Sequence, residues 1–188
     1  MNRARPWIWM RRTGAVAIVV GVAMLSYVAG VLLQARAYRS AFHGPSPASA
    51  ASAAPHLVDG AAIGEVRIDR IGMRAVISQG ESDAVLRVGA GHLIDTPWPG
   101  QPGNVVIAGH RDTIFRPLRN VREGDIVDVT TETTVAHYRV VSTRVVPPTD
   151  LSVLKPSEGN SLTLITCYPF SFIGRAPERF VVRAVEVR

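Results

Sequence analysis

The chain has 188 residues, which is enough for one modest domain and a tail. Its hydrophobic content of 47% excludes a wholly disordered chain, and its single cysteine excludes a disulfide scaffold and a cysteine-cluster metal site. The formal net charge of +6 would by itself point to a nucleic acid or an anionic membrane.

The excess positive charge lies at the N-terminus. The first forty residues contain six of the 21 basic side chains and no acidic one, so the remaining 15 basic residues balance the 15 acidic residues. A nucleic-acid-binding protein would carry its positive charge on the surface of the folded domain. We therefore expect no nucleic-acid partner.

An uncharged apolar segment separates these arginines. Residues 14–33 read GAVAIVVGVAMLSYVAGVLL, and a helix of this length spans roughly 30 Å, the thickness of a bilayer's hydrocarbon core. The arginines before it outnumber those closely after it, which orients residues 1–13 toward the cytoplasm. We predict a single-pass signal anchor in the cytoplasmic membrane. A cleavable signal peptide is the competing interpretation, although its apolar core usually has about 7–15 residues.

Residues 34–60 are predicted to be a linker, because 13 of the 21 residues from Ser40 to Gly60 are Ala, Ser or Pro. Residues 61–188 are predicted to form one extracytoplasmic domain that is mainly β. The predicted strands are Gly64–Asp69, Asn104–Ala108, Asp125–Thr130, Val135–Val146, Ser161–Thr166 and Phe180–Val187. Short helices are predicted near Asp83–Val88 and Ile114–Asn120. Many short strands indicate a sandwich or a small closed barrel.

Cys167 directly follows a predicted strand and precedes Tyr168-Pro169. A lone thiol outside the cytoplasm risks oxidation, which favours a role as a nucleophile. A small buried hydrophobic residue is the other interpretation, since free cysteine is often buried. Placement alone leaves both open.

A cysteine nucleophile needs a partner that moves protons, because its thiol is only slightly ionised at neutral pH. His110 follows the apolar strand NVVIAG and is the first candidate; His92, in a glycine-rich loop, is the second. His137 lies within a strand pattern and is expected to be structural. Arg179, which opens the last predicted strand, is the candidate for stabilising an oxyanion. Spacing alone does not exclude Arg175 or Arg183.

The strings IAGH and TLITC, followed by an arginine, resemble those of sortases, the membrane-anchored cysteine transpeptidases of bacterial surfaces. The longer strings GNVVIAGHRDTIFRPLRNVREGD and TLITCYPFSFIGRAPERFVVRA most resemble class D sortases. The resemblance implies an eight-stranded β-barrel with short helices. It also implies that His110, Cys167 and Arg179 are the catalytic residues. Asp112 and Thr166 lie beside them in the motifs and are expected to support them.

The activity implied by the resemblance is cleavage of an LPxTG-like sorting signal between Thr and Gly through a thioacyl-enzyme. The acyl group would pass to an amine acceptor, such as a cell-wall precursor or a pilin-like lysine, which attaches or polymerises surface proteins. No cofactor or metal is expected; some sortases bind calcium, but no acidic cluster here indicates such a site.

Two other functions compete with this activity. An L,D-transpeptidase would carry an SHGC-type motif, which is absent. A catalytically inactive, membrane-tethered peptide-binding module could keep the same fold.

Overall fold

The computed structural model of the protein describes residues 18–30, 32–33, 58–157, 159–172 and 174–187. Residues 18–30 and 32–33 are helical and exposed. Within these described ranges, no helix combines the length and the apolar character that a bilayer crossing requires. The predicted cytoplasmic segment 1–13, part of the predicted anchor 14–33 and most of the predicted linker 34–60 lie outside the described residues.

Eight strands close into a barrel in the order β1-β2-β3-β4-β7-β8-β6-β5. The strands are β1 Ala62–Ile68, β2 Met73–Gln79, β3 Ala90–His92, β4 Asn104–Ala108, β5 Ile126–Thr131, β6 Val135–Val146, β7 Ser161–Tyr168 and β8 Glu178–Val187. The β2–β3 and β4–β7 pairs are parallel, and the other pairs are antiparallel. An α-helix spans Asp83–Val88, and short 3₁₀ helices span Asp69–Ile71, Arg116–Asn120 and Leu151–Leu154. The expected eight-stranded barrel is confirmed, and a sandwich is excluded.

Side chains alternate between the interior of the barrel and its outer surface, as the period of two in a strand requires. On β7, Leu162 and Leu164 belong to the main core inside the barrel. Ile165, between two inward positions, instead packs with Val181 of β8 in a second cluster on the outer surface. The 3₁₀ helix Leu151–Leu154 covers this second cluster through Val153 and Leu154. The middle of β7 is therefore packed on both faces, which fixes the strand that carries the cysteine.

Several predicted bounds coincide with those of the structure, namely the strands Asn104–Ala108 and Val135–Val146 and the helix Asp83–Val88. The helix predicted at Ile114–Asn120 is instead a 3₁₀ helix over Arg116–Asn120. The strand predicted at Ser161–Thr166 continues to Tyr168, so Cys167 lies inside it and not after it.

The segment predicted to be a glycine-rich loop around His92 is strand β3. This strand passes very close to another backbone segment: a Cβ on Gly91 would lie 2.2 Å from the carbonyl oxygen of Gly80. The glycines therefore permit a close approach between two backbone segments, whereas the sequence pattern favoured a loop.

Candidate active site

Cys167 and Arg179 lie directly opposite each other on the antiparallel strands β7 and β8. The Cα atoms of such opposed residues are about 4.5–5.5 Å apart, and the two side chains point to the same face of the sheet. Because these two strands are neighbours, the guanidinium of Arg179 can reach a carbonyl group bound at the thiol. Cys167 is a free thiol of intermediate exposure.

The guanidinium of Arg179 is held beside its own backbone. Its Nη1 donates to the carbonyl oxygen of Glu178 at 3.0 Å and to that of Ala176 at 3.4 Å. Among the described residues, no other protein group accepts a hydrogen bond from this side chain. Nε and Nη2 are thus available to a ligand at the cysteine.

His110 reaches the same end of the barrel from the other side of β7. Strands β4 and β7 run parallel with Ala108 opposite Ile165. The backbone N–H of Gly109 donates to the carbonyl of Ile165 at 3.1 Å, which continues the pairing past the end of β4. His110 is the next residue, two positions past the last paired residue of β4, and so lies at the same end of the barrel as Cys167.

Thr166 joins the ends of the two strands. Its side chain is buried, and its Oγ1 donates to the carbonyl oxygen of Gly109 at 2.7 Å. The residue before the cysteine therefore holds the residue before the histidine. The contact joins the two segments that carry Cys167 and His110, and the supporting role expected for Thr166 stays a prediction.

The turn after His110 depends on a glycine. The backbone N–H of Phe115 donates to the carbonyl of His110 at 2.9 Å, and the Phe115 ring is fully buried. A Cβ on Gly109 would lie 2.8 Å from that ring. Phe115 was missed from the sequence, because its contact with Gly109 forms only when the turn closes.

A cavity of about 580 Å³ opens where these strand ends meet. His110, Cys167 and Arg179 all line it, together with Asp112, which is exposed. The rest of the lining is Arg111 and the loop residues Gly174, Arg175 and Ala176. The three predicted catalytic residues therefore share one solvent-accessible cavity.

Arg111, which lines this cavity, binds the loop between β7 and β8. Its Nη2 donates to the carbonyl oxygens of Phe172 at 2.7 Å and Gly174 at 2.9 Å, and its guanidinium lies 5.9 Å from the centre of the Phe172 ring. Its Nη1 is buried without a hydrogen-bond partner among the described residues. The only signal in the sequence was its position next to His110.

The structure removes His92 and His137 from the site, since neither lines the cavity. The ring of His92 is buried between Gln79 Oε1 and the carbonyl of Pro97, each 3.0 Å from one of its nitrogens. Burial lowers the pKa of His92. His137 lies on β6 with its Nδ1 2.7 Å from Asp128 Oδ1.

The two arginines that spacing left open have different positions. Arg175 lines the cavity, whereas Arg183 lies opposite Thr163, four residues further along β8, and lines other cavities. Among the residues that the structure describes, no three His, Cys, Asp or Glu side chains converge to hold a metal ion.

A family model described as the sortase domain matches residues 66–187. The chain belongs to the sortase family. It is 35% identical over 124 residues to Sortase D of Bacillus subtilis, covering 65% of this chain and 63% of that protein. It is 28% identical over 127 residues to Sortase A of Listeria monocytogenes, covering 65% of this chain and 57% of that protein. The sortase chain thus spans less than two thirds of the length of either relative.

The fold of this sortase is similar to that of a solved relative. A structure of a Sortase D5 transpeptidase from Clostridium perfringens matches it with a TM-score of 0.65 at 30% identity, covering 71% of this chain and 83% of that one.

Proposed function

We propose that this sortase is a cysteine transpeptidase that cleaves an LPxTG-like sorting signal between Thr and Gly and transfers the acyl group to an amine acceptor. Sortase homologues are cysteine transpeptidases. The observation that carries the proposal is the position of β7 between β4 and β8, with Cys167 opposite Arg179 and with His110 lining the same cavity. One strand thus presents the nucleophile between a proton carrier and a cation.

In the first half-reaction, the thiolate of Cys167 attacks the carbonyl carbon of the threonine, and the carbonyl electron pair moves to oxygen. Arg179 donates N–H groups to that oxyanion, which lowers the barrier because the donors are already in place. The intermediate collapses with cleavage of the Thr–Gly amide bond. His110 gives its proton to the departing glycine nitrogen, and a thioester remains on Cys167.

In the second half-reaction, an amine attacks the thioester carbonyl. His110 accepts the proton of the attacking nitrogen, the C–S bond breaks, and the thiolate of Cys167 is restored. The acceptor is a cell-wall precursor or a pilin-like lysine, so the product is a surface protein joined through a new amide bond. The nucleophile and the imidazole end the cycle in the protonation states in which they began.

The catalytic domain would work outside the cytoplasmic membrane, anchored by residues 14–33. The support is the run of twenty uncharged residues between arginines, of which residues 18–30 and 32–33 are helical. The full chain should stay with membranes after an alkaline carbonate wash, and a protease added to intact cells should cleave the domain. Release by carbonate would contradict the membrane anchor but would not contradict the proposed transpeptidase reaction.

The reaction is tested with a quenched fluorescent LPxTG peptide and an added amine. We expect Cys167→Ala to abolish cleavage and the wild-type protein to form the amide product, which mass spectrometry identifies. Arg179→Ala should lower kcat about 10²–10³-fold if Arg179 stabilises the oxyanion. Arg116→Ala, an exposed arginine outside the cavity, is the matched control. Turnover in the cysteine variant would exclude the mechanism, and peptide binding without turnover in the wild type would indicate a binding module.

A further inference from the structure

The outer face that carries the catalytic pair continues along the same two strands. Because side chains alternate and the β7–β8 register is unbroken, Thr163 and Arg183 point to the same face as Cys167 and Arg179. They lie four residues further along, which is roughly 13 Å. Between the two pairs lie Ile165 and Val181, the apolar residues of the second cluster.

A second cavity, of about 230 Å³, opens at this position. Its charged lining residues are Arg144, Lys155 and Arg183, and no carboxylate lines it. Arg144 comes from β6, where it lies opposite Val181, and Lys155 follows the 3₁₀ helix Leu151–Leu154. Three separate segments of the chain thus bring positive charge to one concave place.

Arg183 is held there by a chain of buried hydrogen bonds. Its Nη1 donates to Thr163 Oγ1 at 3.1 Å, and that hydroxyl donates to Asn104 Oδ1 at 2.7 Å. Asn104 Nδ2 in turn donates to the carbonyls of Val153 at 3.1 Å and Lys155 at 3.2 Å. Thr163 and Asn104 are almost fully buried. The same network therefore fixes the guanidinium and the segment that carries Lys155.

The charges around the cavity leave a place for an anion. Burial and the neighbouring Arg144 lower the pKa of Arg183. Hydrogen bonds from Ser152, and to a lesser degree the charges of Arg144 and Lys155, lower the pKa of Asp150. Its Oδ1 accepts the backbone N–H of Ser152 at 2.9 Å. Glu186, in the adjacent cavity that Arg183 also lines, accepts a hydrogen bond from Asn160.

None of the three cations forms an ion pair with a described carboxylate. Like charges held together in this way repel each other, and a bound oxyanion would relieve the repulsion.

We propose that this cationic cavity binds an acidic side chain of the exported substrate, at the residue immediately before the LPxTG-like signal. The proposal rests on the proposed function. A fully extended peptide spans at most about 3.3–3.6 Å per residue, so the residue four positions upstream of a threonine at Cys167 can reach a cavity roughly 13 Å away. In LPxTG that residue directly precedes the leucine.

The upstream side of the peptide is the favoured occupant because it stays on the enzyme as the acyl group. A contact there holds the substrate through both half-reactions, whereas the downstream side must leave before the amine acceptor enters. Carboxylates are the anions that exported polypeptides carry, and arginine binds them through two parallel N–H groups.

The test compares sorting peptides that differ by Glu against Gln at the residue before the leucine. We expect the Glu peptide to have about a fivefold lower KM with an unchanged kcat, the size typical of a partly exposed charge-assisted contact. Added sodium chloride should reduce the difference. The double variant Arg144→Gln, Lys155→Gln should remove the difference in KM between the two peptides. Arg183→Gln tests the same prediction in a second variant, which also takes away the donor of the hydrogen bond to Thr163 Oγ1.

The control is the double variant Arg119→Gln and Arg122→Gln, which makes the same charge change at a different cavity. Equal KM values for the two peptides with normal turnover would overturn the cavity's role and leave the transpeptidase reaction standing. A preference that persists in the Arg144 and Lys155 double variant, or that follows Glu placed after the scissile bond, would also overturn it. Failure to cleave either peptide would overturn the proposed function and this inference with it.

Discussion

The hydroxyl of Thr166 links the two strand ends of the active site through its bond to the carbonyl of Gly109. Replacing it in Thr166→Val keeps the shape of the side chain but leaves a carbonyl without this donor. We expect a loss of about 1–3 kcal/mol in the free energy of unfolding, measured by urea titration. Because the bond also joins the chain segments that carry His110 and Cys167, kcat on the sorting peptide should fall as well.

Thr166→Ser separates the hydroxyl from the methyl group. It retains the donor, so it should keep kcat near the wild-type value even if the lost methyl lowers stability. Equal losses of kcat in the Ser and Val variants would show that packing, and not the hydrogen bond, supports the site.

Arg111 positions the wall of the cavity, because its guanidinium binds two carbonyls of the β7–β8 loop. We expect Arg111→Gln to raise KM for the sorting peptide about tenfold with a smaller change in kcat, since the loop loses charge-assisted bonds while the strands stay paired. Arg111→Lys should behave similarly, because lysine lacks the planar fork that reaches both carbonyls. Full activity in the lysine variant would attribute the effect to charge alone.

The residues alone left the role of Cys167 and the choice of arginine open, and the resemblance to sortases implied His110, Cys167 and Arg179, with Thr166 beside them. The structure brings those three residues to one cavity, and it adds Arg111 and Phe115, which the sequence did not indicate. The contacts of Thr166 and Arg111 join residues 57 to 63 positions apart. They depend on the pairing of β4 with β7, which no local pattern encodes.

At the scale of an element, the turn that follows β4 rests on the absence of a side chain at Gly109. In Gly109→Ala, the new Cβ would contact the buried ring of Phe115 at 2.8 Å. We expect a loss of about 1–3 kcal/mol in the free energy of unfolding from overpacking, and a lower kcat because the ring can yield only by moving the turn of His110.

The double variant Gly109→Ala, Phe115→Ala tests this cause. Alanine removes the Cγ, Cδ1 and Cδ2 atoms that the new Cβ would meet, so Gly109→Ala should cost less stability in the Phe115→Ala background than in the wild type. Additive losses in a double-mutant cycle would contradict the steric account.

The strands that could be predicted are those with clear ends and a clear period. Strand β4 is bounded by Gly103 and Gly109, and β6 ends before Pro147-Pro148. Strand β2 has almost every side chain buried, so it shows no alternation of polar and apolar residues. Strand β3 has only three residues and forms because β2 and β4 pair with it on both sides. Strands of this kind form because they pair with neighbouring strands, and the local sequence does not show that pairing.

At the scale of the whole molecule, strand pattern alone left a sandwich and a closed barrel open. The resemblance to sortases implied the barrel, and the strand order shows why local reasoning could not. Strand β7 lies between β4 and β8, so the nucleophile's strand pairs in parallel with one that precedes it by more than fifty residues. The pairing of β1 with β5, which is also long-range, closes the barrel, and the pairings of β7 with β4 and β8 assemble the site.

The same closure buries His92, which makes the stability of the whole barrel depend on pH. Burial lowers the pKa of His92 below its ordinary value of 6.5. The unfolded chain therefore binds this proton more readily than the folded one, and the free energy of unfolding rises with pH in that range. The contribution of neutral His92 is complete above about pH 6.5 and is lost as the pH falls toward the lower folded-state pKa. Urea titrations should show stability falling as the pH drops below about 7.

His92→Gln should flatten that decline, since glutamine does not titrate. Arg70→Gln is the contrasting variant, because the hydrogen bond from Arg70 lowers the pKa of Asp125. A depressed carboxyl pKa stabilises the fold above the unfolded value of about 4, and that contribution disappears only as the pH falls through the folded-state pKa. Loss of the Arg70 contact should thus lower stability by a constant amount above about pH 4, alter the pH dependence only below that value, and leave the slope near neutrality unchanged. If the free energy of unfolding of His92→Gln still fell with pH as in the wild type, a group other than His92 would be responsible for the decline.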